Sequence, residues 1–363
     1  MKFVYLLLST MLCNLFTGKV LSQDVPVPSS GRVVRHTDIP STRVPSRPVD
    51  VWLPPSYDGK TPHDILIMHD GQMLFDKSIT WNGAEWGVDE TLSDLITRRI
   101  VCPTLVVGVW NRPGYRHAEF TPRKPIERLE ATRRDEVLAM RRPGGEVLFP
   151  DGEVESDAYL SFLVGELLPF LYANYATSKE SGHIFLAGSS MGGLISLYGW
   201  LEYPEVFMGA ACLSTHWPLG FDEKTNHASV WIEYLSKFVP EPSNRRLYMD
   251  TGDQELDAMY LEPQARVDSI FGAEGYNEQQ FLSRVALGHR HNEVDWAKRL
   301  PEALGFLLNK PSGAPGNHSR DKNSAGVPSN SPVDGGDSQR SSDKNSGSDV
   351  PRPAKKAVAG PKK

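Results

Sequence analysis

The stretch HIFLAGSSMGG, His183 to Gly193, ends in Gly188-Ser189-Ser190-Met191-Gly192. This fits G-x-S-x-G, the pattern of a serine held on a sharp strand-to-helix turn. Such a serine attacks a carbonyl carbon when a nearby base takes its proton. A pattern with three fixed positions also arises by chance, so its context has to decide: a strand before, a helix after. HIFLA supplies the first and GGLISLYGWLEY the second. Glycines at 188 and 192 keep the turn free of Cβ clashes, and a helix N-terminus offers backbone donors to a developing anion. Ser190 is the candidate nucleophile. Ser189 fits less well, because its flanking positions are not both glycine.

A serine of this kind needs a base and an acid further along, in the order serine, acid, histidine. The histidines downstream in the body are His216, His227, His289 and His291. Only the last two follow the strand expected to be last, in VALGHRHNEVDWAKRL, and His291 is preferred over His289. The acid is expected after the strand RRLYMDTG, where GDQELD offers Asp253, Glu255 and Asp257. Any of the three could hold the imidazole in the right tautomer, and spacing alone does not choose among them.

The elements that must position these residues alternate along the chain. Strands are read at VDVWLPP, DILIMHDG, TLVVGVWN, HIFLAGS, GAACLST, RRLYMDTG and QFLSRVALG. Several are continuous apolar runs, as expected of strands covered on both faces. Helical spacing of apolar residues marks DETLSDLITRR, DAYLSFLVGELLPFLYANY and PEALGFLLN. Pro169 predicts a bend or break in the second of these. The fold class is α/β: a mostly parallel central sheet with helices on both faces. The stretch from Pro113 to Glu155, rich in Arg, Pro and Glu, interrupts the alternation and is expected to be an insertion or long loop near the strand ends.

The two ends of the 363-residue chain stand apart from this body. Met1-Lys2, the apolar run FVYLLLSTMLCNLF and the small-residue step VLSQ match a secretory signal peptide, with cleavage expected after Ser22. The run is too short and too interrupted to be a membrane span. From position 311 to 363 the chain turns to Ser, Gly, Pro, Asn, Asp and Lys, a composition that cannot offset chain entropy by burial. This segment is expected to be a disordered low-complexity tail. Between them lies one expected catalytic domain, 23–310. The net charge of −6 and the absence of a basic stripe argue against nucleic acid as a partner. Cys102 and Cys212 permit one disulfide, yet two buried thiols are at least as consistent with their apolar surroundings.

From about Val49 to Leu308 the body resembles the esterase D family of α/β-hydrolases, which includes enterochelin-esterase-like proteins and feruloyl and acetyl xylan esterases. The resemblance rests on VWLPPSYD, MHDGQMLFD, GVWNRPGYRHAEFTP, YLSFLVGELLPFL, AGSSMGGLISLY, DTGDQELDAMY and HNEVDWAKRLP, in that order. It implies the α/β-hydrolase fold and a serine esterase with no cofactor and no metal. It implies Ser190 as nucleophile and His291, opening H-x-x-x-x-W with Trp296, as base. For the acid it implies Asp257, because Leu256 and Tyr260 reproduce one family pattern, with Glu255 implied by another. Backbone donors from Met191 and from Gly71 or Gln72 would form the oxyanion hole.

Loop residues that match family blocks, or that offer aromatic surface, are candidates for substrate binding: Trp81, Asn111, Arg112, Arg116 and Trp217. For Arg116 and Glu119 an internal ion pair that shapes the site is favoured over contact with a polar substrate. His69 and Asp70 lack a third ligand at recognisable spacing and are read as structural. The expected activity is hydrolysis of a small-molecule or glycan-linked ester, with a siderophore-type ester also open. Export makes polysaccharide-linked acetyl or feruloyl esters the better fit, in a secreted or periplasmic protein. Acyl transfer by the same triad, as in the mycolyltransferase relatives, and a catalytically silent binding module are the alternatives.

Overall fold

A computed structural model describes residues 24–180, 182–221 and 225–309. The expected signal peptide, 1–22, and the expected tail, 311–363, lie outside the described residues. Eight strands form one sheet: β1 Arg32–His36, β2 Val49–Leu53, β3 Asp64–His69, β4 Thr104–Val109, β5 Ile184–Ser189, β6 Gly209–Leu213, β7 Arg246–Gly252 and β8 Phe281–Ala286. Their order is β1-β2-β4-β3-β5-β6-β7-β8. β1 and β2 run antiparallel to their neighbours, and the strands from β4 to β8 pair in parallel.

Side-chain alternation sorts the sheet into two cores. Ile65, Ile67, Leu105 and Val107 face one side, under α5 (Ser156–Phe162), α7 (Met191–Glu202), α8 (Ala228–Phe238) and α9 (Leu261–Ala273). Leu66, Met68, Val106 and Phe185 face the other, under α1 (Val88–Thr97) and α10 (Glu293–Leu307). Both faces are covered, which is why β2 to β6 are buried along their whole length. The central helix α7 is buried from Met191 to Trp200, as befits a helix that is apolar all round.

Three expectations change. The region 113–155 is largely helical: α2 Arg116–Phe120, α3 Arg123–Glu127 and α4 Ala131–Leu138 lie within it. Pro residues here open short helices instead of preventing them; Pro122 is the residue before α3. Pro169 does not break its helix. A π turn over Leu163–Leu167 joins α5 to α6 (Leu168–Asn174), and Pro169 sits in the first turn of α6, where a missing N–H costs least. β1 adds an edge strand that the apolar pattern did not announce. Cys102 and Cys212 are not bonded to each other.

Candidate active site

The turn from β5 into α7 puts Ser190 at φ 57°, ψ −123°, a region that L-residues rarely occupy. Backbone bonds hold it there: Ser190 N–H donates to Leu213 C=O at 2.9 Å, and Ser190 C=O accepts from His216 N–H at 3.1 Å. Gly188 is required by packing, since a Cβ there would lie 2.6 Å from the Gly192 carbonyl. Met191 is the first residue of α7, so its N–H has no acceptor within the helix.

The loop after β3 lies against the same helix start. A Cβ on Gly192 would stand 3.4 Å from both the Asp70 carboxylate and His69 Cβ. Asp70 adopts a left-handed conformation (φ 57°) and leads into a 3₁₀ turn, Gly71–Met73. Gly71 must be glycine, because a Cβ would meet the Gly108 carbonyl of β4 at 2.4 Å. The Asp70 carboxylate fixes this loop. It accepts Arg116 Nε–H and Nη2–H at 2.8 and 2.7 Å and Asn111 Nδ2–H at 2.7 Å. Burial raises the Asp70 carboxyl, but the Arg116 charge outweighs that and holds it below its usual value. Gln72 Oε1 accepts the Asn111 N–H at 3.4 Å.

Asp257 sits in a 3₁₀ turn after β7, Glu255–Tyr260, and is fully buried. His291 Nδ1 is 2.5 Å from Asp257 Oδ1. Asp257 Oδ2 accepts Gly252 N–H at 2.7 Å and the Ser214 hydroxyl at 2.6 Å. Burial pushes this carboxyl up, while His291, Ser214 and Gly252 together bring it below its ordinary value. Trp296 meets the His291 ring edge-on at 4.9 Å and Tyr260 does so at 5.5 Å, so the imidazole is walled on two sides. Asn292 caps α10 by accepting Asp295 N–H at 3.0 Å, which fixes where the histidine loop enters that helix.

Glu255 and Asp253 point elsewhere. Glu255 is exposed, and Asp253 bonds the Gly288 N–H and Gln254. His289 serves through its carbonyl, which accepts Asp253 N–H and Gln254 N–H at 3.2 and 3.1 Å.

The substrate-binding candidates divide. Arg116 and Asn111 stand beside the Ser190 helix through Asp70. Arg112 bonds Glu155 at 2.5 Å and lies over the Tyr115 ring. Glu119 pairs with buried Arg47, not with Arg116, so the internal pairing expected of these residues runs through two different partners. Trp81 is 81 % exposed, and its neighbour Asn82 donates to Glu293 at the start of α10. Trp217 is a correction: it is fully buried, donates to Gln264 at 3.2 Å and packs within the core, leaving no surface for a substrate.

Sequence reasoning passed over three buried groups here. Ser214, Arg299 and Asp250 lie behind Asp257, and no motif marks them. His216, a candidate base by sequence, has a different place. Its Nδ1 is 2.5 Å from the Tyr260 hydroxyl, and burial lowers its pKa to about 3, which keeps the ring neutral. Among the described residues no group of three or more His, Cys, Asp or Glu side chains could hold a metal ion. No described helix is long and apolar enough to cross a membrane.

A mostly parallel sheet carrying a strained serine between a crossover strand and a buried helix, with a histidine–carboxylate pair on later loops, is the architecture of the α/β-hydrolases. Residues 129–307, just under half of the chain, match the family described as "Putative esterase". The curated relative it matches is "Uncharacterized protein YbbA" of Bacillus subtilis (strain 168), 23% identical over 278 residues, covering 73% of this chain and 94% of that one.

Among solved structures it is similar to a ferulic acid esterase (TM-score 0.51, 17% identity, 76% of this chain and 98% of that one). It is also similar to an IroE-like serine hydrolase from Shewanella oneidensis (TM-score 0.56, 15% identity, 76% and 80%). A third is ferric enterobactin esterase from Salmonella typhimurium (TM-score 0.50, 18% identity), where the match covers 78% of this chain but 60% of that one. At these identities the structural matches speak for the fold.

Proposed function

We propose that this protein is an exported serine esterase in which Ser190, His291 and Asp257 act as nucleophile, base and orienting acid. The observation that carries this reading is the 2.5 Å contact between His291 Nδ1 and a buried, doubly supported Asp257, in a fold whose elbow serine stands at a positive φ. With Nδ1–H donated to Asp257, His291 Nε2 carries the free lone pair and takes the Ser190 proton as Oγ attacks the ester carbonyl. The tetrahedral oxyanion is met by the N–H of Met191 and an N–H of the Gly71–Gln72 turn, two donors from helix starts that Asp70 and Gly192 bring side by side. Collapse expels the alcohol, protonated by the imidazolium, and leaves the acyl-enzyme. Water, deprotonated by His291, then releases the acid and regenerates Ser190.

For the substrate we favour an ester of an aromatic or acetyl acid with a carbohydrate, with a siderophore-type ester second. The relatives named for ferulic acid and enterobactin ester cleavage support the range, and the exposed Trp81 beside the α10 start suits stacking on a ring. The N-terminal segment supports export into the medium or periplasm. The test is turnover of methyl ferulate, acetylated xylan and p-nitrophenyl acetate by wild type, Ser190→Ala and His291→Ala. Hydrolysis of at least one by wild type, lost in both variants, is expected. Undiminished hydrolysis by Ser190→Ala would refute the assignment.

A further inference from the structure

Ser214 follows β6 at φ 43° and is fully buried. Its Oγ has three partners: Trp296 Nε1 at 3.0 Å, Arg299 Nη2 at 2.7 Å and Asp257 Oδ2 at 2.6 Å. An indole N–H and a guanidinium N–H can only donate, and a hydroxyl has two lone pairs and one proton. Both lone pairs are therefore filled from α10, and the proton has one acceptor left, Asp257. We propose that Ser214 is a positioning residue for the esterase reaction: Trp296 and Arg299 lock its proton onto Asp257 Oδ2, so that only Oδ1 of that carboxylate is presented to His291.

The inference rests on the triad reading above. Gly252 N–H takes the second site on Oδ2, so the carboxylate cannot rotate without breaking two bonds. Ser214 also ties Asp257 to a second buried carboxylate. Its own N–H donates to Asp250 Oδ1 at 3.2 Å, and Arg299 Nε lies 3.1 Å from Asp250 Oδ2. Arg299 thus balances Asp250 directly and reaches Asp257 through the hydroxyl.

The charged and titratable groups facing this assembly are His291 ahead of α10, Arg299 on α10, Asp250 and Tyr248 on β7, Tyr260 on the 3₁₀ turn, His216 after β6 and Arg116 on α2. Arg299 is joined to Asp257 through the Ser214 hydroxyl. Without the Ser214 proton, the Asp257 charge falls more fully on the imidazolium. A less constrained carboxylate also aligns the ring less well.

The test uses the full chain with p-nitrophenyl acetate, comparing wild type, Ser214→Ala, Ser214→Cys and Ser190→Ala, each checked for folding by thermal melting. Ser214→Ala is expected to lower kcat about tenfold, the size of one hydrogen bond to a charged group, with KM nearly unchanged. The acid limb of kcat/KM should rise by about half a pH unit, and the far-downfield proton of the His291–Asp257 bond should shift in NMR. Ser214→Cys keeps an acceptor for Trp296 and Arg299 but donates weakly, and should lie between wild type and Ser214→Ala.

A folded Ser214→Ala with wild-type kcat and acid limb overturns the proposal, as does an effect confined to KM. Should Ser214→Ala not fold, a folded Ser214→Cys with wild-type kcat and acid limb overturns it equally. Failure of the triad reading is seen separately, as wild-type turnover by Ser190→Ala.

Discussion

Two buried carboxylates anchor loops of the candidate site, and their partners set them apart. Asp70, after β3, is held by Arg116 and Asn111, donors whose state does not change between pH 4 and 9. Asp257, after β7, is held by Ser214 and Gly252 on one oxygen and by a histidine on the other. The first arrangement is static and pins a loop with backbone donors beside α7. The second leaves one partner free to gain and lose a proton. On the proposed reading, a fold with two such carboxylates separates holding the oxyanion donors from orienting the base.

The comparison breaks most visibly at Asp257. Asp257→Asn should cut kcat by about 10⁴, the scale seen when a triad acid is replaced by an amide that favours the wrong tautomer, while Glu255→Gln stays within about twofold. Steady-state kinetics on both variants would separate the two acids that family patterns left open. The Asp70 side should respond less. Arg116→Met leaves a buried carboxylate without its cation and loosens the Gly71–Gln72 turn; we expect kcat down about 10- to 100-fold and a lowered melting temperature. An unchanged kcat in a destabilised protein would show that Asp70 serves stability alone.

A third consequence concerns pH. Burial lowers the pKa of His69 to about 4 and of His216 to about 3, and lowers His117 as well. The unfolded chain protonates these rings near 6.5 and the folded chain does not, so stability falls as pH drops from about 6.5 toward 4. Each ring contributes up to about 1.4 kcal/mol per pH unit in that window. Asp250 opposes this, since burial raises it to about 6 and its stabilising contribution grows as pH falls toward 3.8. Burial also lowers His36 and His227 and raises Asp64, Glu85, Asp89, Glu155 and Asp268; we expect the rings to dominate, and urea midpoints that are level or rising between pH 6.5 and 4.5 would contradict this. The smallest effect is expected at the rim: Trp81→Ala should raise KM two- to fivefold for a ring-bearing alcohol and leave p-nitrophenyl acetate unaffected, readable from paired Michaelis curves.

Much of this arrangement is written locally in the chain. The strands from β2 to β8 are read from the chain, several as continuous apolar runs, and the elbow's strand, glycines and helix start fall within eleven residues. β1 escaped because it is a half-buried edge, RVVRH, whose second arginine, Arg35, is paired with Asp50 from the next strand. The helices over 116–138 escaped because Pro and Arg suggest a loop until Arg116 finds Asp70, 46 residues earlier. Ser214, Asp250 and Arg299 carry no pattern at all. Each is an ordinary residue until the sheet order sets β6 beside β7 and α10 behind both. Groups that support a site across long sequence separations are legible only after folding, while the groups that sit on one tight turn are legible before it.

The most direct test of the central assignment is covalent. The full-length protein, treated with a fluorophosphonate and digested, should yield a single labelled peptide carrying the adduct on Ser190. That label should be absent from Ser190→Ala and formed far more slowly in His291→Ala. A label on Ser189, on another serine, or undiminished in Ser190→Ala would contradict the account.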